Sequence, residues 1–90
     1  MKILRFSAIW CMYCIYMRSF WEEMEKKYPG FTYEEYDADD HTEKHKEFSI
    51  KDVPTVIIFK DDKEIERIEG ARDKDEVEKI LIKYKLPETR

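Results

Sequence analysis

The chain has 90 residues, of which 42% are hydrophobic and 42% are charged, and its formal net charge at pH 7 is −4. The apolar share is sufficient for a core and argues against intrinsic disorder, and the length predicts one domain over residues 1–90. An acidic chain lacks the basic face that nucleic acid requires. No apolar run approaches the roughly 18 residues of a membrane span, so neither nucleic acid nor a membrane is expected as a partner.

Hydrophobic periodicity and turn residues predict seven elements in the order βαβαββα. In chain order they are strand 2–7, helix 11–28, strand 31–39, helix 40–48, strand 53–60, strand 63–70 and helix 73–86. The first two strands should be parallel because a helix joins them, and the last two antiparallel because only a tight turn separates them. The N-terminal apolar cluster is interpreted as a strand, since no cleavage site of small residues follows it. We therefore expect a cytoplasmic location.

The chain contains two cysteines, Cys11 and Cys14, in a C-x-x-C motif where the first strand gives way to the first helix. Unpaired N–H groups and the positive dipole end of a helix favour a thiolate at Cys11, which would make it the nucleophile. Cys14, nearly one turn later, can attack a mixed disulfide at Cys11 and release the reduced substrate. Trp10 would flank the exposed sulfur. Half of a zinc site and two inert buried thiols are the alternatives.

Two further groups of side chains allow more than one interpretation. His41 and His45 lie four residues apart on the predicted helix 40–48 and would formally complete a Cys2His2 set. Because a strand separates them from the cysteines, we expect two solvated histidines and no metal site. Met12, Tyr13 and Tyr16 lie beside the cysteines and form either a docking patch for protein substrates or a local packing cluster.

Pro54 stands at the entry of the buried strand 53–60, where a proline removes no ladder hydrogen bond. An ordinary trans proline at the start of a strand is the simple interpretation. If the Val53–Pro54 bond is cis, the Val53 backbone faces the cysteines and can offer its N–H and C=O to an extended substrate.

These residues together resemble the thioredoxin/glutaredoxin superfamily. The resemblance covers residues 2–86 and rests on the stretches FSAIWCMYC, YEEYDAD, KDVPTVIIFKDDKEI and IEGARDKDEVEKIL. It implies a thioredoxin-like α/β fold, with a four-stranded mixed sheet, helices on both faces and the first strand central. It also implies a cis Pro54 opposite the cysteines and a Gly70 that leaves room for a partner chain. The extra N-terminal strand and helix of a full thioredoxin are missing, so the size is that of a glutaredoxin.

Three positions depart from the superfamily. Met12-Tyr13 replaces the Gly-Pro or Pro-Tyr between the cysteines, so the redox potential does not carry over. Arg5 stands where thioredoxins have a buried Asp that accepts the proton of the second cysteine, and Tyr33 stands in place of a nearby lysine. Arg5 either lies beneath the helix start, where its charge favours the thiolate and a more oxidising pair, or extends to the rim and pairs with Asp37 or a glutamate.

The resulting functional hypothesis is a thiol–disulfide oxidoreductase that reduces protein disulfides as a monomer, without metal or organic cofactor. Cys11 attacks and Cys14 resolves, and the substrate would contact Trp10, Tyr13, Val53, Pro54 and Gly70. Electrons would come from a separate reductase or from glutathione.

Two alternatives to this hypothesis remain open at the sequence level. In a glutaredoxin-like enzyme, Arg72 and Asp73 would hold glutathione, although Asp73 also suits a helix cap. A metal-binding or protein-binding module on the same fold, without turnover, is the alternative from another functional class.

Overall fold

The computed structural model describes residues 1–84. The strands are β1 (Lys2–Ser7), β2 (Thr32–Asp37), β3 (Thr55–Lys60) and β4 (Lys63–Glu69), and the helices are α1 (Met12–Tyr16), α2 (Arg18–Lys27), α3 (Thr42–Glu47) and α4 (Lys74–Tyr84). This confirms the predicted order of elements, except that two helices replace the first predicted one. Residues 85 and 86 of the predicted last helix lie outside the described residues.

The four strands form one mixed sheet in the order β2-β1-β3-β4. β1 is parallel to β2, with Arg5 opposite Glu35, and antiparallel to β3, while β3 and β4 form an antiparallel hairpin. The predicted parallel and antiparallel pairs and the central first strand are confirmed, and β4 lies at the edge of the sheet. A strand bonded on both sides is rigid, so the residues that follow β1 start from a fixed point.

The predicted continuous helix over 11–28 is wrong at Met17, where a turn with a φ of −81° and a ψ of −5° separates α1 from α2. The Met17 side chain is buried. The turn directs Phe20, Trp21 and Met24 of α2 into the core, whereas α1 has no buried residue. In the described part of the chain, none of the helices has the length and apolar character needed to cross a bilayer.

Alternating side chains on the central strands build a core on each face of the sheet. On one face, α2 and α4 cover the strands, and this larger cluster includes Ile3, Val56, Ile58, Phe20, Trp21, Met24, Val77 and Leu81. On the other face, Leu4, Phe6 and Ile57 pack with Tyr36, Phe48, Ile50 and Phe59 beside α3. Helices on both faces are therefore confirmed. The alternation also places Arg5 and Ser7 on the face of Ile3, below the start of α1.

Candidate active site

Cys11 is the N-cap residue of α1, with extended backbone angles of φ −92° and ψ 109°. Its Sγ accepts a hydrogen bond from the Cys14 backbone N–H at 3.2 Å, and its own N–H donates to the Ala8 carbonyl at 3.1 Å. A sulfur that replaces the usual capping oxygen receives an otherwise unpaired helix N–H, and charge-assisted bonds of this kind favour an anion. Both thiols are free, and this geometry can hold Cys11 as the predicted nucleophile.

Cys14 is half-buried, and Cys11 is buried with 9% of its surface exposed. Burial, and to a lesser degree the side-chain hydrogen bond with Cys11, raises the pKa of Cys14 to about 12. At neutral pH Cys14 therefore keeps its proton. This suits a second cysteine that must remain unreactive until a mixed disulfide has formed beside it.

This protonation state can be tested in a Cys11→Ser variant. We expect the alkylation rate of Cys14 by iodoacetamide to keep rising with pH from pH ~8 to ~10, because only the thiolate reacts and burial, the largest cause of the raised pKa of Cys14, is still present when Cys11 is replaced. The same variant unfolded in urea is the control, and its rate should level off above pH ~9, near the ordinary thiol pKa. A plateau at that pH in the folded variant would contradict the assignment.

The residues predicted to contact a substrate lie on the loops around α1. The Val53–Pro54 bond is cis, as the family resemblance implies. The Gly70 N–H donates to the Pro54 carbonyl at 2.9 Å, and Gly70 has a φ of 81°, which L side chains rarely adopt. The Tyr13 hydroxyl donates to the Arg72 carbonyl. Tyr13, Pro54, Gly70 and Arg72 line one small cavity, so the structure brings these four together.

Trp10 and Val53 belong to a second, wider depression of about 270 Å³, on the α3 side of Cys11. The Trp10 side chain is 66% exposed, and Met12 and Tyr16 are also exposed. Tyr16 nevertheless packs on the Tyr13 ring. The two tyrosines therefore pack locally, and a docking contact at Met12 stays a prediction.

Arg72 and Asp73 are exposed at the start of α4. The Asp73 backbone carbonyl accepts a hydrogen bond from the Val77 N–H at 3.1 Å. Within residues 1–84 the Asp73 side chain forms no hydrogen bond with the first turn, so the predicted side-chain cap is wrong. Contact of these two residues with glutathione stays a prediction.

The histidines do not lie together beside the sulfurs. His45 Nε2 is 2.9 Å from the Tyr36 carbonyl, and its ring packs edge-on against Phe6. The expectation of two solvated histidines is therefore wrong for His45, whereas His41 is exposed. Over residues 1–84, no group of three or more His, Cys, Asp or Glu side chains is arranged to hold a metal ion.

Arg5 lies under the start of α1, and its side chain is only 15% exposed. The guanidinium is 5.4 Å from the centre of the Trp21 ring, and Nη2 is 3.4 Å from Glu35 Oε1. Burial lowers the pKa of Arg5, while the carboxylate of Glu35 acts in the opposite direction. The predicted pairing with a glutamate is confirmed, but the extension to the rim is wrong because Arg5 is held against Trp21. Its effect on the Cys11 thiolate stays a prediction.

Glu35 and Ser7 are the site residues that sequence reasoning missed. Ser7 Oγ donates to Glu35 Oε2 at 2.9 Å, so both carboxylate oxygens of Glu35 have a partner on β1. The signal was an unexplained cation inside a strand that should be central, because a buried charge requires a partner. The parallel register that places Glu35 opposite Arg5 could not be read from the sequence.

Tyr33, in the position of the family's lysine, cannot supply a positive charge. Its hydroxyl lies 3.1 and 3.0 Å from the carbonyls of Met24 and Tyr28 at the end of α2. Burial raises the pKa of Tyr33 to about 12, so the side chain is neutral at pH 7. The Tyr33 hydroxyl holds the end of α2 through these contacts. The charged side chains beside Cys14 are therefore those of Arg5 and Glu35.

Comparison with known proteins agrees with this geometry. The sequence profile of the thioredoxin family matches residues 1–83. A thioredoxin from Chlamydia trachomatis serovar D is 33% identical over 82 residues, which cover 91% of this chain and 80% of that protein. An H-type thioredoxin from Fagopyrum esculentum is 31% identical, with 89% and 69% covered.

Comparison with solved structures also identifies thioredoxins as similar proteins. The crystal structure of a thioredoxin from Nicotiana alata superposes with a TM-score of 0.88 and 33% identity, and the match covers 94% of this chain and 73% of that one. Thioredoxins exchange protein disulfides through a C-x-x-C pair, and here that pair is Cys11 and Cys14. The chain belongs to the thioredoxin family and is a thiol–disulfide oxidoreductase.

Proposed function

We propose that this protein reduces disulfides of protein substrates and is itself reduced by a separate dithiol reductase. The observation that carries the proposal is the placement of Cys11 Sγ at the N-terminus of α1, bonded to the Cys14 N–H. It combines a sulfur that accepts a helix N–H with a second thiol that keeps its proton. The match to thioredoxins over residues 1–83 supports the choice of substrate class.

The reaction needs two exchanges of sulfur partners. The Cys11 thiolate attacks one sulfur of the substrate disulfide, which gives a mixed disulfide and releases the first substrate thiolate. Cys14 then attacks Cys11 Sγ, and the second substrate sulfur leaves. The product is an intramolecular disulfide between Cys11 and Cys14, which the reductase returns to two thiols with two electrons.

Substrate binding in this proposal uses backbone groups and the exposed side chains around Cys11. An extended segment beside Cys11 would pair with the Val53 N–H and C=O, in the manner of an added strand. The hydrogen bond from Gly70 to Pro54 holds this loop in place. Trp10, 66% exposed, supplies an aromatic contact, a side-chain class that is enriched at protein interfaces.

The electron donor decides between the thioredoxin-like and glutaredoxin-like forms of the proposal. With insulin as substrate, we expect turnover with NADPH and thioredoxin reductase, and much slower turnover with NADPH, glutathione and glutathione reductase. A Cys14→Ser variant is the control and should show no multiple turnover. Preference for glutathione, lost in Asp73→Ala, would instead assign the glutaredoxin-like function.

The proposal includes a cytoplasmic location and a monomeric state. The 90 residues contain no cysteine beyond the redox pair, which suits a reducing compartment where structural disulfides are rare. Cell fractionation with a specific antibody, and light scattering on the eluted chromatographic peak, test the two statements. A membrane or periplasmic fraction, or the mass of a dimer, would contradict them.

A further inference from the structure

A small cavity of about 20 Å³ lies behind the cysteine pair and is lined by Cys14 together with residues that the two exchange steps do not use. Its lining includes Arg5, Ser7, Cys14, Trp21, Glu35 and Pro54. Glu35 is the carboxylate among all the lining residues, and no other acid or histidine shares this cavity in the described part of the chain. The volume is sufficient for one water molecule.

The resolving step requires a proton to leave this place. Cys14 attacks only as a thiolate, yet burial keeps its thiol protonated at neutral pH. The negative charge of Glu35 further disfavours a Cys14 thiolate. Transfer of the Cys14 proton to Glu35 would remove that repulsion at the moment when the thiolate forms, because the carboxylate becomes neutral.

The carboxylate of Glu35 is held by its two β1 partners, Arg5 Nη2 at 3.4 Å and Ser7 Oγ at 2.9 Å. Arg5 also carries a buried Nε for which residues 1–84 provide no hydrogen-bond partner. A buried donor without a partner favours a water molecule or an anion nearby. The cavity therefore has an acceptor, a free donor and room for a bridging water molecule.

We infer that Glu35 is the proton acceptor for Cys14 in the resolving step, and that Arg5 and Ser7 are positioning residues for its carboxylate. The inference rests on the thiol–disulfide exchange proposed above. It assigns proton acceptance to a carboxylate on β2, directly opposite Arg5 of β1.

The proton moves from Cys14 Sγ to a Glu35 oxygen, directly or through one water molecule, and the carboxylate becomes a carboxyl. The Cys14 thiolate attacks Cys11 Sγ, the bond between the two cysteine sulfurs forms, and the bond from Cys11 to the substrate sulfur breaks. The electron pair leaves with the substrate sulfur, so the cysteine pair is oxidised and the substrate reduced. Glu35, whose side chain is 40% exposed, then returns its proton to solvent.

The test separates the two exchanges with equimolar dithiobis(nitrobenzoate) and the reduced protein in a stopped-flow instrument. Attack by Cys11 releases the first coloured thiolate and attack by Cys14 the second. In Glu35→Gln we expect the first release to keep its rate and the second to slow by roughly 100-fold near neutral pH, the lower end of the effect of a general base. Glu35→Asp should recover part of the rate.

The pH profile distinguishes proton transfer from a merely structural contribution of Glu35. The rate of the second release should depend only weakly on pH in the wild type, where a carboxylate accepts the proton, whereas in Glu35→Gln it should keep rising with pH as hydroxide replaces the lost base. Other charges that face the Arg5 and Glu35 pair come from α2, namely Arg18, Glu22 and Glu25. They remain in both proteins, so they cannot produce the difference.

Glu34→Gln is the matched control. It removes the same charge from β2 on the opposite face, where Glu34 accepts a hydrogen bond from Tyr36 at 2.6 Å, and both releases should stay at wild-type rates. Equal slowing in the two variants, or an unchanged second release in Glu35→Gln, would overturn the inference while disulfide exchange stands. If wild-type protein gave no first release, disulfide exchange itself would fail, and this inference with it.

Discussion

Cys11→Ser is expected to lower the rate of insulin reduction by on the order of 10³-fold or more, to the level of the small-molecule thiol alone. Serine keeps the capping geometry of α1 and can accept the Cys14 N–H that now bonds to Cys11 Sγ at 3.2 Å. The fold should therefore persist while the nucleophile is lost. The measurement is turnover in the thioredoxin reductase assay, with circular dichroism to confirm that the variant is folded.

Cys14→Ser is the matched comparison for this prediction. It keeps the nucleophile and removes the resolving thiol, so it should accumulate a covalent mixed disulfide with substrate that dithiothreitol releases. Mass spectrometry should place that bond on Cys11. Substantial turnover in Cys11→Ser, or a mixed disulfide on Cys14 in the wild type, would assign the nucleophile to the wrong cysteine.

Phe6→Ala is expected to destabilise the fold by about 3–5 kcal/mol, the range for removal of a buried aromatic side chain. Phe6 is fully buried on β1, and its ring contacts those of Tyr36, His45 and Phe48 on the α3 face. A cavity there would loosen α3 from the sheet. The free energy of unfolding of a domain is typically about 5–15 kcal/mol, so this loss would remove a large part of it in a small domain.

Urea denaturation of Phe6→Ala against the wild type measures the effect as a shift in the midpoint. Ile82→Ala is the control, because that apolar side chain lies on α4 but is 48% exposed, and its removal should change the unfolding free energy by about 0.5 kcal/mol or less. A loss of unfolding free energy in Phe6→Ala as small as that in Ile82→Ala would show that the packing on the α3 face contributes little to stability.

The elements that the sequence predicted well are those with a strong local signal. The continuous apolar run Val56–Phe59 indicated a strand covered on both faces, and the tight turn before Lys63 required an antiparallel partner. The C-x-x-C pair was located correctly because a strand ends and a helix begins around it. The break at Met17 was missed, since the residues on either side of it keep helical spacing.

The ion pair between Arg5 and Glu35, beneath the cysteines, could not be predicted from a local sequence signal. Arg5 was recognised as unusual, but its partner depends on how β1 and β2 align, and a shift of one residue would present Glu34 in place of Glu35. His45 was misjudged for a similar reason, because its hydrogen bond to the Tyr36 carbonyl joins α3 to β2. Contacts between elements distant in the chain depend on register and packing, which periodicity does not contain.

The shortness and exposure of α1 have a consequence for how the redox potential of this protein can be altered. The helix has five residues, none of them buried, and Met12 between the cysteines is 78% exposed. Substitution of Met12 would disturb no core packing, so it can change the electron affinity of the cysteine pair with little effect on folding. The redox potential of the pair and the stability of the scaffold can thus be altered independently at this position.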